Sequence, residues 1–221
     1  MVLTERSLER LLVLVKASRI PGWCFGPILY TIGVINSGIL PKSIPSILCT
    51  GVQLFCLSFP LCIVVFGVND VYDYASDIRN PRKQGWSLEG CVLEPTHHDF
   101  VLAAAFISHF HTTSINNRYS YTRLVILLTT ASTQGRPILD SLSNGILVWL
   151  CWALGYTSSG YTLFGPNAGE GVTKGWLLAL CTSGVHALGA AVDVEVDNAT
   201  GQRTIATAYG KRAAAFFSAM L

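Results

Sequence analysis

The sequence has few charged residues and almost no surplus of one sign. Only 13% of its residues are Asp, Glu, Lys or Arg, about half of the roughly 25% found in soluble domains. Its 15 basic and 13 acidic residues leave a net charge of +2, too small a surplus for electrostatic binding to a polyanion. The composition therefore argues against a water-soluble domain and against a nucleic-acid partner.

Cysteine pairs with metal-binding spacing are also absent. The seven Cys residues include no C-x-x-C pair, and most lie inside apolar runs, where a thiol behaves as a small hydrophobic group. Neither a disulfide framework nor a zinc site is indicated.

Long apolar runs are present instead and predict helices that cross a membrane. Ile44 to Val68 has no charged residue and exceeds the roughly 20 residues that a spanning helix needs. Further spans are predicted at Ile20 to Ile35, Leu139 to Gly155 and Trp176 to Val192, with Leu8 to Lys16 as an amphipathic helix at the interface. Basic residues spread along the first segment, so it does not read as a cleavable signal peptide.

The segment from Phe100 to Ala131 contains two short apolar pieces, Phe100 to Phe110 and Leu124 to Ala131, around a polar stretch. Two helices there give about six spans in all, and a seventh starts at Ala213. The predicted fold class is an all-α, polytopic transmembrane helix bundle.

Lys and Arg are unevenly distributed between the loops, which predicts the orientation of the bundle. Cytoplasmic loops of membrane proteins carry an excess of these residues, so the N-terminal segment and the basic connections are expected on the cytoplasmic side. Arg118 and Arg123 fall in a predicted outer loop and disagree. The connections expected to be cytoplasmic hold Arg79, Arg82, Lys83, Arg136, Arg203, Lys211 and Arg212.

A first acidic motif follows the Ile44 to Val68 span and reads N-D-V-Y-D-Y-A-S-D over positions 69–77. In a continuing helix, at about 100° per residue, Asp70, Asp73 and Asp77 lie within about 60° of one another. Three carboxylates on one face at a span end are costly unless a positive group lies between them. Oxygen ligands alone favour Mg²⁺, which commonly bridges one or two carboxylates to substrate phosphates.

A second acidic motif ends the Trp176 to Val192 span and reads D-V-E-V-D-N-A-T-G-Q-R-T over positions 193–204. Asp193 and Asp197 face the same way, whereas Glu195 points away from them. Both motifs are predicted at the same membrane face, so they are expected across a cavity mouth from each other, with one diphosphate and Mg²⁺ between them. Basic residues nearby would contact the diphosphate oxygens directly, namely Arg82, Lys83, Arg203 and Lys211.

Each motif alone also fits a solvated acidic loop, and Asp residues on spanning helices occur in cation transporters as well. Transport sites lie near the bilayer midplane, whereas both motifs lie at span ends. Two motifs at matching depth favour one shared binding site.

Together, N-D-x-x-D-x-x-x-D and D-x-x-x-D-x-x-x-G-x-x-T resemble the motifs of the UbiA superfamily of intramembrane prenyltransferases. Positions 193–210 and the sequence R-P-I-L-D-S-L-S-N at 136–144 are similar to the lycopene elongase branch, and membrane-bound terpene cyclases look similar too. The resemblance covers most of positions 18 to 90 and 136 to 212. Family members resemble nine-helix bundles, so residues 1–221 are expected to form one membrane-embedded domain that is incomplete at its C-terminus.

The resemblance implies an enzyme whose substrate is an allylic isoprenoid diphosphate, with Asp70, Asp73, Asp193 and Asp197 as catalytic residues. A hydrophobic acceptor captures the allylic cation in a transferase, and a double bond of the same substrate captures it in a cyclase. An inactive remnant or a membrane carrier is the non-enzymatic alternative. The implied Mg²⁺ ligands are Asn69, Asp70, Asp73, Asp77, Asp193 and Asp197.

Other residues near the span ends have two interpretations. His186 lies seven residues before Asp193 on the same helix face, below the metal site, although a packed or backbone-bonded His is more common. Asp140 either caps the fifth span or lines the cavity, and capping is expected. Aromatic side chains either stabilise a cation or, more typically, anchor the bundle at the interface; these are Trp23, Tyr72 and Tyr74.

Overall fold

The computed structural model describes residues 5–79, 83, 90, 92–115, 136–165 and 168–221, with the backbone alone at Ser76 and over 109–115. No β-strand occurs among these residues. Three helices are long and apolar enough to cross a membrane, and a fourth span results if the bent pair Glu5–Ala17 and Ile20–Ser37 counts as one. The protein is an all-α, polytopic transmembrane bundle, as predicted. The three long helices are Ile44–Tyr72, Pro137–Ser158 and Gly171–Thr200.

A sharp corner joins the first helix to the first span. Helix α1 (Glu5–Ala17) contains the predicted amphipathic segment, and the following helical segment turns away from it by 68°. The corner falls at Arg19, which has the only positive φ of a non-glycine residue in the described part of the chain, 53°. A 3₁₀ turn, Ile20–Cys24, then leads into α2 (Phe25–Ser37). Pro21 stands at the start of that turn, where a missing N–H is tolerated.

The span predicted at Ile44 to Val68 is confirmed, and it is interrupted twice. A capping box between Ser43 and Ser46 starts it. Pro60 accompanies the first interruption, because its ring cannot donate a backbone hydrogen bond. A π-helical turn, a feature often found at functional sites, leads directly into the first acidic motif. The segments are α3 (Ile44–Cys56), α4 (Phe59–Cys62), the π turn (Ile63–Gly67) and α5 (Val68–Tyr72).

Two helices follow the first motif. The short α6 (Tyr74–Asp77) continues it, and α7 (His98–Ile115) contains the first of the two apolar pieces predicted between Phe100 and Ala131. Val101 of α7 is fully buried. The second apolar piece, together with Arg118 and Arg123, lies outside the described residues.

The other two long helices are α8 (Pro137–Ser158) and α9 (Gly171–Thr200). They confirm the spans predicted from Leu139 and from Trp176. Helix α8 lies at the centre of the bundle, since its residues from Val148 to Thr157 are all buried.

Glycine permits the close packing of α2 on α8. A Cβ at Gly33 would meet the backbone of Trp152, and a Cβ at Gly155 would meet the backbone of Tyr30. Small residues at such crossings let spanning helices approach closely. Close packing matters there because lipid tails are as apolar as the helices, so the hydrophobic effect does not drive the helices together.

The chain ends in two short helices that pack along α9. These are α10 (Ile205–Tyr209) and α11 (Lys211–Met220). Ala187 and Ala191 of α9 form a small buried cluster with Ala214 of α11. The predicted start of a seventh span at Ala213 thus lies in a helix of 10 residues.

Candidate active site

One cavity of about 880 Å³ lies where α5 and α9 end and α8 begins. Its wall is formed by the last turns of the span that ends in α5, the first half of α8, the second half of α9 and the loop after α9. Asn69 and Asp73 of the first motif line it together with Asp193 and Asp197 of the second. The two acidic motifs therefore reach one site from the same end of the bundle.

The first motif divides between two environments. Asn69 and Asp73 line the cavity, whereas Asp70 and Asp77 are buried behind it. Helical geometry explains the division, because residues four apart differ by about 40° and residues seven apart by about 20°. The helix also stops at Asp73, which caps α5, and restarts as α6. The expectation that all three carboxylates face the second motif is therefore wrong for Asp70 and Asp77.

A network of buried ion pairs holds the two inward carboxylates. Asp70 is fully buried; Arg19 Nη2 lies 2.7 Å and Lys83 Nζ 3.4 Å from its Oδ1. Lys83 Nζ also donates to Asp77 Oδ2 at 2.7 Å. Burial raises the pKa of Asp77 above its ordinary value, the Asp70 carboxylate adds to this, and the hydrogen bond from Lys83 opposes it. These are the positive groups that the sequence analysis expected among the carboxylates.

The second motif presents its outer two acids to the cavity. Asp193 and Asp197 lie one turn apart on α9, and Asp197 Oδ2 accepts a hydrogen bond of 3.1 Å from Thr204 Oγ1. Thr204 is itself held by a capping box at the start of α10. Glu195 faces away, is largely exposed and pairs with Lys211 Nζ at 3.3 Å. The expected separation of Glu195 from Asp193 and Asp197 agrees with the structure.

Three arginines supply the positive charge of the cavity wall. Arg19, Arg79 and Arg203 all line it. Arg203 was predicted from the sequence to contact a diphosphate, whereas the other two were predicted only as basic residues of the first segment and of a loop. The Arg19 guanidinium also lies over the Phe66 ring, 4.7 Å from its centre. Lys83 and Lys211 make the ion pairs described above and are not among the cavity residues, and Arg82 lies outside the described residues.

Sequence reasoning missed a polar cluster contributed by α8 and α9. His186 Nε2 lies 4.0 Å from Asp140 Oδ2, and both residues line the cavity. The capping role expected for Asp140 is wrong, because Arg136 is the N-cap residue of α8 and Asp140 is the fourth residue of the helix. The seven-residue spacing between His186 and Asp193 was the available signal, but nothing in the sequence joined His186 to Asp140.

The three aromatic residues near the span ends lie in different environments. Tyr72 lines the cavity and is largely exposed. Trp23 donates from its ring nitrogen to Ser18 Oγ at 2.9 Å, and Tyr74 packs edge-on against His98. Only Tyr72 of the three is in position to face a bound substrate.

The cavity is polar near the span ends and apolar farther along the helices. Val65 and Phe66 precede Asn69 in the first wall, and Leu147 lies three residues beyond Asn144 in the second. The acidic motifs and Arg203 stand at the opposite end. Such a gradient suits an amphiphile with a charged head group and a hydrocarbon chain.

The donor set fits Mg²⁺ together with a diphosphate. In the described part of the chain, no three His, Cys, Asp or Glu side chains group closely enough to hold a metal alone. Mg²⁺ usually keeps several waters and takes only one or two protein carboxylates, with substrate phosphates completing the shell. Asp193 and Asp197 on α9, with Asp73 and the Asn69 amide oxygen from α5 and its C-cap, provide oxygen donors of that kind.

Comparison with known sequences gives consistent relatives, although no family model matches the chain. The chain is 31% identical to a lycopene elongase/hydratase of Corynebacterium glutamicum over 77% of its own length and 61% of that protein. It is also 31% identical to the C(50) beta-cyclic carotenoids biosynthesis protein LbtBC of Dietzia sp. strain CQ4, over 72% of this chain and 38% of that protein. The chain thus spans between 38% and 61% of the length of these two relatives.

Two solved structures share the fold. A UbiA homologue from Archaeoglobus fulgidus bound to DMAPP and Mg²⁺ superimposes with a TM-score of 0.72 at 15% identity, over 94% of this chain and 74% of that one. A digeranylgeranylglyceryl phosphate synthase superimposes with a TM-score of 0.59 at 16% identity, over 96% and 73%. In sequence the chain is thus similar to lycopene elongase/hydratases, and its fold is that of a UbiA homologue.

Proposed function

We propose that this protein is a Mg²⁺-dependent membrane prenyltransferase. It ionises an allylic isoprenoid diphosphate and transfers the prenyl group to a hydrophobic acceptor within the bilayer. The observation that carries the proposal is the meeting of Asn69, Asp73, Asp193 and Asp197 in one cavity with an apolar end.

The diphosphate is proposed to bind at the polar end of the cavity. Arg19, Arg79 and Arg203 donate to its oxygens, since guanidinium groups form strong charge-assisted hydrogen bonds with phosphates. Mg²⁺, when bound, would be held by Asn69, Asp73, Asp193 and Asp197, and it neutralises charge on the leaving group. The site thereby favours the separation of diphosphate from the allylic carbon.

The apolar wall then decides the fate of the allylic cation. The side chains of Val65, Phe66 and Leu147 carry no polar group. They exclude water from the prenyl chain, which prevents loss of the cation to hydrolysis. Tyr72 can present its π face to a cation at the cavity. A neighbouring acceptor double bond is then the available nucleophile.

The acceptor is proposed to be a hydrophobic polyene. Support comes from the relatives whose names are lycopene elongase/hydratase. An acceptor of that kind is soluble only in the membrane, which agrees with a cavity whose apolar end lies along the spanning helices.

The cavity mouth is proposed to face the cytoplasm. Arg79, Lys83, Arg203 and Arg212 all lie near the span ends that carry the acidic motifs, and this excess of basic residues is typical of the cytoplasmic side. The distribution of charge supports the proposed orientation.

Replacing Asp193 by Ala tests the diphosphate site. We expect prenyl transfer by membranes containing the variant to fall at least about 100-fold, because a charge that is stabilised in the transition state loses its partner. Transfer by the wild type should vanish with a chelator and return with Mg²⁺. Glu195→Ala is the matched control, since Glu195 lies on the same helix and faces away from the cavity; it should keep wild-type activity. Equal turnover by Asp193→Ala and Glu195→Ala contradicts the proposal.

The same assay separates the alternatives. A cyclic hydrocarbon formed from the prenyl diphosphate alone would make the protein a cyclase. Absence of Mg²⁺-dependent pyrophosphate release by the wild type would make it a carrier or an inactive remnant.

A further inference from the structure

A second polar cluster lies in the cavity wall, away from both acidic motifs. His186 Nε2 is 4.0 Å from Asp140 Oδ2, and His186 Nδ1 is 3.3 Å from Ser141 Oγ. The backbone carbonyl of Asp140 accepts hydrogen bonds from Ser143 Oγ at 2.8 Å and from Asn144 Nδ2 at 3.0 Å. The side chains of His186 and Asp140 are each about one third exposed, so the pair is fixed in place yet open to the cavity.

The position of the pair along the cavity differs from that of the diphosphate site. His186 precedes Asp193 by seven residues, which is about 10 Å along a helix that rises 1.5 Å per residue. Leu147 lies seven residues beyond Asp140 in α8, at the apolar end. The pair therefore stands between the metal-binding carboxylates and the apolar end, beside the path of a chain attached to the diphosphate.

The proposed transfer leaves one proton to be removed. When the C–O bond breaks, its electron pair leaves with the diphosphate, and the π electrons of the acceptor double bond form the new bond to the allylic carbon. The acceptor is then itself a carbocation. It becomes neutral when a neighbouring C–H bond gives its electrons to a new double bond, or when water adds; either event releases one proton.

We propose that His186 is the catalytic base that takes this proton, with Asp140 as its positioning residue. If Nδ1–H donates to Ser141 Oγ, Nε2 carries the lone pair beside Asp140. After Nε2 takes the proton, the Asp140 carboxylate at 4.0 Å stabilises the imidazolium. An Asp carboxylate stabilises the catalytic His in Ser-His-Asp triads in the same way. The inference rests on the proposed prenyl transfer and assigns a residue for its last step.

The test compares two yields from the same membranes. His186→Gln and Asp140→Asn variants are incubated with geranylgeranyl diphosphate, lycopene and Mg²⁺, and both released pyrophosphate and elongated product are counted. In His186→Gln the ratio of elongated product to pyrophosphate should fall at least about tenfold, because without its general base the elongated cation keeps its proton and the new C–C bond breaks again. Water then captures the returned allylic cation, so prenyl alcohol should accumulate. Asp140→Asn should move the ratio the same way by less.

His97→Gln is the matched control, because His97 is not among the cavity residues; its ratio should equal that of the wild type. An unchanged ratio in His186→Gln overturns the inference. A parallel fall of product and pyrophosphate also overturns it, since that result assigns His186 to ionisation or to folding. If the wild type releases no pyrophosphate with Mg²⁺, the prenyltransferase proposal itself fails, and the base role fails with it.

Discussion

Arg19 connects the corner of the chain to the cavity. Its side chain pairs with the fully buried Asp70 and lies over Phe66, while the residue also lines the cavity. A positive φ costs energy in a bulky residue such as Arg19. Contacts elsewhere in the fold must therefore hold this backbone conformation. The ion pair with Asp70 provides a physical reason for that conformation.

Replacing Arg19 by Ala should lower the free energy of unfolding by about 3 kcal/mol, because a buried carboxylate loses its nearer partner. Thermal unfolding in detergent measures the loss. The double variant Arg19→Ala with Asp70→Asn should recover much of it, since the uncompensated charge is gone. A double variant no more stable than Arg19→Ala would show that the pair contributes little.

At this scale the sequence predicted residues within one motif and missed partners from distant segments. The four-residue spacing of Asp193 and Asp197 was sufficient to place them on one face. The pairing of Arg19 with Asp70 spans 51 positions and that of Ser141 with His186 spans 45. Such pairs depend on which helices pack together, which spacing within one helix does not encode.

Helices α2 and α8 cross with their backbones in close contact. Gly33 faces the backbone of Trp152 and Tyr156, which cannot rotate away as a side chain can. The crossing fixes α8, and α8 in turn carries Asp140 and Asn144 to the cavity wall.

Gly33→Ala should therefore destabilise the protein by about 1–3 kcal/mol through overpacking. Gly51→Ala is the matched control on α3, where nothing lies within 4 Å of an added Cβ, and it should be neutral or stabilise by up to about 1 kcal/mol. Denaturant unfolding in micelles would measure both. If the two variants have the same unfolding midpoint, the α2 and α8 backbones are not in contact.

For the helices, apolar length predicted three of the long elements, while their interruptions had weaker signals. Pro60 and Pro21 marked places where backbone hydrogen bonds are lost. The π turn at Ile63–Gly67 had no comparable signature, and Pro21 beside the corner at Arg19 did not indicate its angle of 68°. Both adjust the direction of helices that lead to the cavity, so they depend on packing of the whole bundle.

The bundle has one end that carries all of the cavity's acidic motifs. Arg203 follows the last turn of α9, and Lys174 stands in its first turns, so the two residues mark opposite ends of one span. The proposed cytoplasmic orientation can be measured with this helix alone.

In sealed vesicles with the cytoplasmic side outward, Arg203→Cys should react with a membrane-impermeant maleimide, and Lys174→Cys should react only after permeabilisation. The wild type gives the background from its exposed Cys24, Cys49 and Cys181. The reverse pattern would place the cavity mouth on the other side.

The cavity's change from a polar to an apolar lining affects the kinetics of the proposed reaction. A substrate whose head lies at Asp193 and whose chain lies beside Leu147 straddles the interface as a phospholipid does. Both reactants then reach the enzyme by lateral diffusion, and the concentration that matters is their mole fraction in the two-dimensional lipid phase. Adding inert lipid at a constant amount of substrate should slow the enzyme, as in surface dilution, although nothing in the aqueous phase has changed.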